Sequence, residues 1–247
     1  MKISIITVSY NAGATIEQTI QSVLAQSHPD VEYIVVDGAS KDNTLDIIEK
    51  YKSRIAHVIS EKDKGIYDAM NKGIALATGD IVGILNSDDL YHNNQVLEYI
   101  ASQFNSETDC ICSDVEIFSD RPDNVLRYYN CQRWKPWMFR IGHQPPHPGF
   151  FVRRELYSEL GTFNTQYRLA ADFDLLLRFI LKHKKRTQYL HYVSVSMRSG
   201  GASQKSLKNI RLANSEVHLS LKRNGYFSLP PFIWLKYPLK IFQFLLK

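Results

Sequence analysis

The sequence predicts an α/β protein built on a mostly parallel central sheet flanked by helices. Two observations carry this. Across the first hundred residues, short β-branched apolar runs alternate with segments whose apolar residues recur at helical spacing. A polar or acidic cluster follows each run, as expected where parallel strands end at a ligand-binding edge.

The elements follow in order. Ile3 to Val8 reads as a strand. Thr15 is placed to cap a helix whose apolar face is Ile16, Ile20, Val23 and Leu24. Val31 to Val36 is a second strand, ending at Asp37 and Gly38. Residues 40–44 form a turn and cap before a helix marked by Leu45, Ile47, Ile48 and Tyr51. Ile55 to Ile59 is a short strand, Tyr67, Met70, Ile74 and Ala77 line a helix, and Ile81 to Leu85 is the next strand. A β-α-β-α-β-α-β order implies parallel pairing.

The second half is less regular. Val96, Leu97, Ile100 and Phe104 suggest a helix, and Asp109 to Phe118 a strand. Residues 119–148 read as a loop-dominated crossing. Gly149 to Val152 is a strand, with a short helix from Arg153 to Leu160. Asp172 begins a helix that ends in the basic run Lys182–Arg186, suited to its dipole. Gln188 to Met197 is a strand, and residues 198–203 a flexible turn.

Composition narrows the class. The chain has 247 residues, 44% of them hydrophobic, which suffices for a substantial core. The formal charge is +5, but residues 201–247 hold eight basic residues against Glu216 alone. A nucleic-acid binder spreads its charge over a face; here it sits in one segment among aromatics, so no nucleic-acid partner is expected. Cys110, Cys112 and Cys131 have no zinc spacing and read as buried free thiols in a reducing compartment. Alternation places Cys110 and Cys112 on one strand face. The N-terminal apolar run is too short for a signal peptide, and no stretch of about 20 uncharged apolar residues offers a membrane span.

The chemistry lies in the residues after the strands. No Gly-x-Gly-x-x-Gly follows the first strand, and no Walker lysine motif is present. Asp88 and Asp89 follow a buried run. They read either as a turn with a helix cap or as hard-oxygen ligands for Mg²⁺ or Mn²⁺ shared with a diphosphate. Asp37 ends a neighbouring strand, where a carboxylate can accept from a ribose hydroxyl or base N–H. Asp172 is an N-cap or a base. His143 and His147 are loop residues near an acceptor, or plain loop contacts, because Pro145, Pro146 and Pro148 prevent a helix from aligning them. Arg198, before Gly200-Gly201, sits either in a surface turn or in a loop able to close on a diphosphate.

The segments ITVSYNAGATIEQTIQSVLAQ, EYIVVDGASKDNT, NKGIALATGDIVGILNSDDLY and HPGFFVRRELYSELGTFNTQYRLAADFDLLLRF resemble, in that order, the family 2 glycosyltransferases. The likeness is strongest to bacterial enzymes of exopolysaccharide and O-antigen synthesis. It implies a GT-A fold with a Rossmann-like sheet, a nucleotide-sugar-binding half over residues 1–105 and an acceptor and catalytic-base half over 106–205. It implies inverting, metal-dependent transfer from a nucleotide-diphosphate sugar, with UDP expected, to a saccharide or polyprenyl-linked acceptor. Thr7, Ser9 and Tyr10 would line the nucleotide pocket, Asp37 would read uracil or ribose, and Lys64 would contact the base. Of Asp88 and Asp89, one would touch the ribose and one the metal, Mn²⁺ or Mg²⁺, and Asp172 would be the base. Asn86 and Ala171 stand where the family commonly has acids. A sugar-nucleotide nucleotidyltransferase is the alternative enzyme, although a glycine-rich basic loop is missing after the first strand. A catalytically inactive scaffold in a polysaccharide assembly complex is the non-enzymatic alternative. Residues 206–247 read as a helical, basic and aromatic segment. Within it, residues 226–247 are suited to peripheral contact with the inner face of the cell membrane, or to docking on the protein itself or a homodimer partner.

Overall fold

A computed structural model describes residues 1–131, 133–200 and 206–234. Nine strands form one sheet: β1 (Ile3–Ser9), β2 (Val31–Asp37), β3 (His57–Ser60), β4 (Ile81–Ile84), β5 (Leu90–Tyr91), β6 (Cys110–Phe118), β7 (Val125–Tyr129), β8 (Phe150–Arg153) and β9 (Thr187–Arg198). Their order is β3-β2-β1-β4-β8-β6-β9-β5, with β7 also pairing β6. The first four strands are parallel to one another, as are β6 and β9. The sheet is nevertheless mixed, because β8 runs antiparallel between β4 and β6, and β5 and β7 are antiparallel too. The expected strand at 55–59 lies two residues later at its start and one at its end.

The helices are α1 (Ile16–Leu24), α2 (Thr44–Lys50), α3 (Ile66–Leu76), α4 (Val96–Gln103), α5 (Glu155–Leu160), α6 (Ala171–Leu176), α7 (Leu207–Arg223) and α8 (Pro230–Trp234). Strand alternation divides the core into two layers. Ile3, Ile5, Tyr33, Val35 and Ile111 meet Ile16, Ile20, Ile47, Leu97 and Ile100 on one face. Ile6, Val8, Ile34, Val36, Cys110 and Cys112 meet Met70, Ile74, Phe173, Leu176 and Leu221 on the other. The two cysteines therefore share a face, and all three are buried free thiols. Thr15 makes no side-chain cap to α1; its hydroxyl turns back to the Ala12 carbonyl at 3.4 Å. The α2 start is fastened from outside the helix, because Asp42 accepts the Thr44 amide at 3.1 Å and the Gly13 amide at 3.0 Å.

Two features differ from the sequence reading, in the 119–148 crossing and at the end of α6. The 119–148 crossing contains β7 and a 3-10 turn at Pro136–Ile141. Helix α6 widens into i→i+5 turns over Leu177–Lys182, and its basic end is not simply solvated. Lys185 pairs with Glu159 at 2.7 Å and Arg186 with Asp109 at 2.8 Å. Helix α7 lies against α6, with Val217 and Leu221 in the same core layer. The expected division after residue 205 falls among residues 201–205, outside those described.

Buried carboxylates lock this architecture. Glu32 on β2 accepts from Lys2, Ser4 and Thr78, tying the starts of β1 and β2 to the turn before β4. Burial alone would raise its pKa, but these donors prevail and hold it at about 2. Glu216 on α7 accepts the backbone N–H groups of Arg168, Leu169 and Ala170 at 2.8, 2.8 and 2.9 Å, fastening the turn that enters α6.

The Glu32 carboxylate is more acidic in the folded chain than its ordinary value of 4.5, so the fold binds fewer protons there than the unfolded chain. Its stabilisation is fully present above about pH 4.5 and is lost as the pH falls through about 2. Glu32→Gln is expected to cost about 3 kcal/mol at pH 7, from the size of that shift. Urea titrations should show the wild-type advantage shrinking toward pH 2; a constant gap would refute the assignment. Glu216→Ala should cost about 3 kcal/mol by orphaning three amides, read by the same titrations; a loss under 1 kcal/mol would contradict that role.

Candidate active site

The parallel strands β1, β2 and β3 end in register at Ser9, Asp37 and Ser60. A β-strand that ends in register with its neighbours delivers its next side chains to the same edge. Here that edge gathers around Asp37, which is fully buried. Its Oδ1 accepts from the Ser9 and Ser40 hydroxyls, and its Oδ2 from the Ser40 amide and Ser60 hydroxyl at 2.9 and 2.8 Å. Asp37 thus already holds four donors. Its influence on a ligand runs through the 38–40 turn and the hydroxyls it orients.

Ala39 at φ 60° and Asn11 at φ 50° form the rim above it. Asn11 bonds the Ser40 hydroxyl through its amide and the Lys41 amide through its Oδ1. Gly38 leaves room at this rim: a Cβ would come within 2.5 Å of Asp63 Oδ2 and 3.3 Å of the Tyr10 ring, so the Asp63 carboxylate would have to move. Tyr10 is 63% exposed. Thr7 is fully buried, its hydroxyl accepting from Tyr33 at 3.1 Å, so it supports the edge from beneath. Lys64 is exposed on the β3–α3 connection, with its backbone N–H on Asp68 at 3.0 Å. Asp63, beside Tyr10 and over Gly38, is the acid at this rim that motif reading passed over; only its place after β3 pointed to it.

The next group follows β4. Asp89 is buried to 1% exposure, while Asn86, Ser87 and Asp88 are half-buried. The two-residue strand β5 pairs with β9 immediately after Asp89, which brings Asp89 against Arg198. Asp89 Oδ2 accepts from Asn86 Nδ2 and its Oδ1 from the Arg198 backbone N–H, both at 3.1 Å. Burial first, and the adjacent Asp88 charge second, push the Asp89 carboxyl up to about 8 against those two bonds. Asn86 Oδ1 is buried with no hydrogen-bond partner.

Two adjacent carboxylates and an unpaired amide oxygen are a hard-oxygen set of the kind that suits a divalent cation. Among the described residues no cluster of three or more His, Cys, Asp or Glu side chains is arranged to hold a metal. A cation here would take its remaining ligands from a diphosphate and water. Arg198 is the last residue of β9, not part of a free loop. Its guanidinium lies over Phe118 at 4.8 Å and donates to the Asp120 carbonyl and Gln18 Oε1 at 3.0 and 3.1 Å.

Asp172 reaches the same edge through Tyr67, the second residue of α3, which starts just beyond β3. Tyr67 donates to Asp172 Oδ1 at 3.1 Å, and Gln144 Nε2 donates to Oδ2 at 2.6 Å. Burial and the Asp172 charge keep the Tyr67 phenol protonated, hence a donor. His147 is held toward its neutral form by burial, with Asp172 opposing. Its ring meets Phe163 edge-on at 5.5 Å. His143 is buried, its carbonyl accepting from Trp134 Nε1 at 3.1 Å. Asp174 is buried and pairs with Arg178 at 2.9 Å, and Ser220 and Asn224 of the α7 end also donate to it.

Comparisons with known proteins give this chain's relatives. The sequence profile of glycosyl transferase family 2 matches residues 4–161. A PGL/p-HBAD biosynthesis glycosyltransferase of Mycobacterium bovis is 30% identical over 205 residues, covering 80% of this chain and 77% of its own. S. aureus TarS 1–349 in complex with UDP-GlcNAc superposes with a TM-score of 0.72 at 18% identity, covering 90% of this chain and 66% of that one. A Pyrobaculum calidifontis mannosyltransferase in complex with GDP-Man and Mn²⁺ gives 0.69 at 23% identity, covering 94% and 66%. The chain spans 40% of the longer S. aureus TarS structure. With the profile covering more than half its length, the chain belongs to glycosyl transferase family 2 and has the GT-A fold.

Proposed function

We propose that this glycosyltransferase moves a sugar, with inversion, from a UDP-sugar to a saccharide or polyprenyl-linked acceptor in cell-surface polysaccharide synthesis. The observation that carries the reading is the pair of acidic centres on one sheet edge: Asp88 and Asp89 after β4, and Asp172 joined to that edge through Tyr67. The relative named for PGL/p-HBAD biosynthesis and the neighbour that holds UDP-GlcNAc support a glycosyltransferase with a UDP-sugar donor.

In this mechanism the nucleotide lies over the 38–40 turn, with Tyr10 flanking the base and Asp63 accepting from it. Lys64, next in the chain, is placed to contact the base or phosphates. Asp88, Asp89 and Asn86 Oδ1 would hold a divalent cation, Mn²⁺ or Mg²⁺, whose chemistry is to neutralise charge growing on the diphosphate. Arg198 adds positive charge beside Asp89 and braces its carboxylate. Asp172 takes the proton of the acceptor hydroxyl as that oxygen bonds to the anomeric carbon. The bond from that carbon to the diphosphate oxygen breaks on the opposite face, and the nucleotide diphosphate leaves with the electron pair.

We further propose peripheral membrane contact through the C-terminal segment. Among the described residues no helix is long and apolar enough to cross a membrane. Phe227, Leu229, Phe232 and Trp234 are 76, 44, 44 and 49% exposed, while Ile233 between them is in the core. Ile233 thus seats α8 on the core, while the flanking Phe232 and Trp234 keep nearly half of their surface exposed. The rest of the 226–247 reading, residues 235–247, lies outside the described residues.

Asp172→Asn is expected to lower transfer by about 10²- to 10⁴-fold while UDP affinity stays unchanged. Wild-type transfer should also stop in EDTA and return with Mn²⁺. Full transfer by the variant would remove Asp172 as the base, and full activity in EDTA would remove the cation. Replacing Phe227, Phe232 and Trp234 by Ser should leave soluble activity intact and reduce sedimentation with anionic vesicles about tenfold; unchanged sedimentation would rule out this surface.

A further inference from the structure

We propose that Tyr67 and Gln144 are positioning residues for the reaction, clamping the Asp172 carboxylate by both oxygens so that its remaining lone pairs face the acceptor hydroxyl. The inference rests on Asp172 being the base. An aspartate in the first turn of a helix can rotate about both side-chain bonds. A general base must lie within about 3 Å of the proton it removes, in the right plane. Two donors on different oxygens remove that freedom, and here they come from separate elements: α3 at 3.1 Å and the β7–β8 connection at 2.6 Å.

The chemistry of Gln144 argues that this is its purpose. A carboxylate accepts hydrogen bonds only, so the Gln144 NH₂ must face it and Oε1 must point away. That Oε1 is buried with no hydrogen-bond partner. Leaving a buried acceptor unpaired costs about 1–3 kcal/mol. An apolar side chain would fill the same space without that penalty, so a residue kept for packing would not be glutamine.

Both donors are themselves immobilised. Tyr129 Oη holds the Gln144 carbonyl at 2.8 Å, and Trp134 holds the carbonyl one residue earlier at 3.1 Å. The Tyr67 ring stacks on Phe163 with centroids 5.5 Å apart and planes 24° from parallel. Asn71, one turn further along α3, bonds both the N–H and the C=O of Phe163 at 2.9 Å. The Phe163 ring thus braces Tyr67 and meets His147 as well. Asp172 is held by a supported shell, not by one incidental contact.

The test uses Tyr67→Phe and Gln144→Met in the full-length protein, assayed with radiolabelled UDP-sugar and with melting followed by circular dichroism. Gln144→Met keeps the volume and removes the unpaired oxygen, so its melting temperature should equal or exceed that of the wild type. Each variant should lower kcat about 10- to 100-fold, with donor KM and UDP affinity within about twofold. Gln144→His, which restores an N–H donor, should recover part of the loss. In the Asp172→Asn background neither substitution should reduce the residual rate further, since both act through the carboxylate. Wild-type kcat in a folded single variant, or an equal fractional loss in both backgrounds, would overturn the clamp. Full activity of Asp172→Asn alone would instead overturn the base assignment, and the clamp with it.

Discussion

A carboxylate taken out of water must be met by donors, and this chain is organised around acids that are. Asp37 collects Ser9, Ser40 and Ser60 and so joins the ends of β1, β2 and β3 with the turn that follows β2. Glu32 ties the opposite ends of β1 and β2 to the turn before β4, using Lys2, Ser4 and Thr78. Each carboxylate fixes strand register by local bonds with definite directions, which apolar burial alone does not supply. Asp89 differs from these two. It is as buried as the others but receives only two bonds and has a second acid beside it. Its raised pKa comes from burial first and the Asp88 charge second, which its two bonds do not offset. Asp37 and Glu32 each hold four donors, whereas Asp89, with two, lies at the proposed cation position.

The same constraint joins the last described helices to the active edge. Glu216 gathers three consecutive amides at the entry to α6, while Asp174 binds back to Ser220 and Asn224 at the end of α7. The two helices exchange carboxylates, each supplying the other with an acceptor. Asp172 sits between these anchors. Its helix is short, and a short helix in isolation is unstable, so its direction comes from α7 and the core layer beneath. The family profile ends at residue 161, before both Asp172 and Glu216. This half of the site is therefore supported by packing outside the matched segment.

Much of the fold was legible because period-2 and period-3.6 patterns record which face is buried. β1, β2, β4 and α3 came directly from that record, as did the shared face of Cys110 and Cys112. β7 was not legible, because Val125–Tyr129 is a half-exposed strand carrying Arg127 within a loop-like composition. β5, two residues long, has no period to read. The antiparallel insertion of β8 follows from long-range pairing, and nothing local in Phe150–Arg153 specifies its neighbours. Among site residues, the acids announced themselves by following apolar runs. Gln144 and Tyr67 did not, since an amide in a proline-rich loop and a tyrosine on a helix face have meaning only beside Asp172.

By itself, then, the sequence determined the α/β class, the placement of Asp37, Asp88 and Asp89 just beyond strand ends, and the family resemblance. All three depend on short-range order along the chain. Only the tertiary structure decided which acids are saturated, that Arg198 ends a strand braced on Phe118, that Thr7 lies wholly inside, and that Glu216 supports the helix of Asp172. Those outcomes depend on donors brought from dozens of residues away. A carboxylate's role is set by its hydrogen-bond partners and its access to water, and neither is written in its own neighbourhood of the chain.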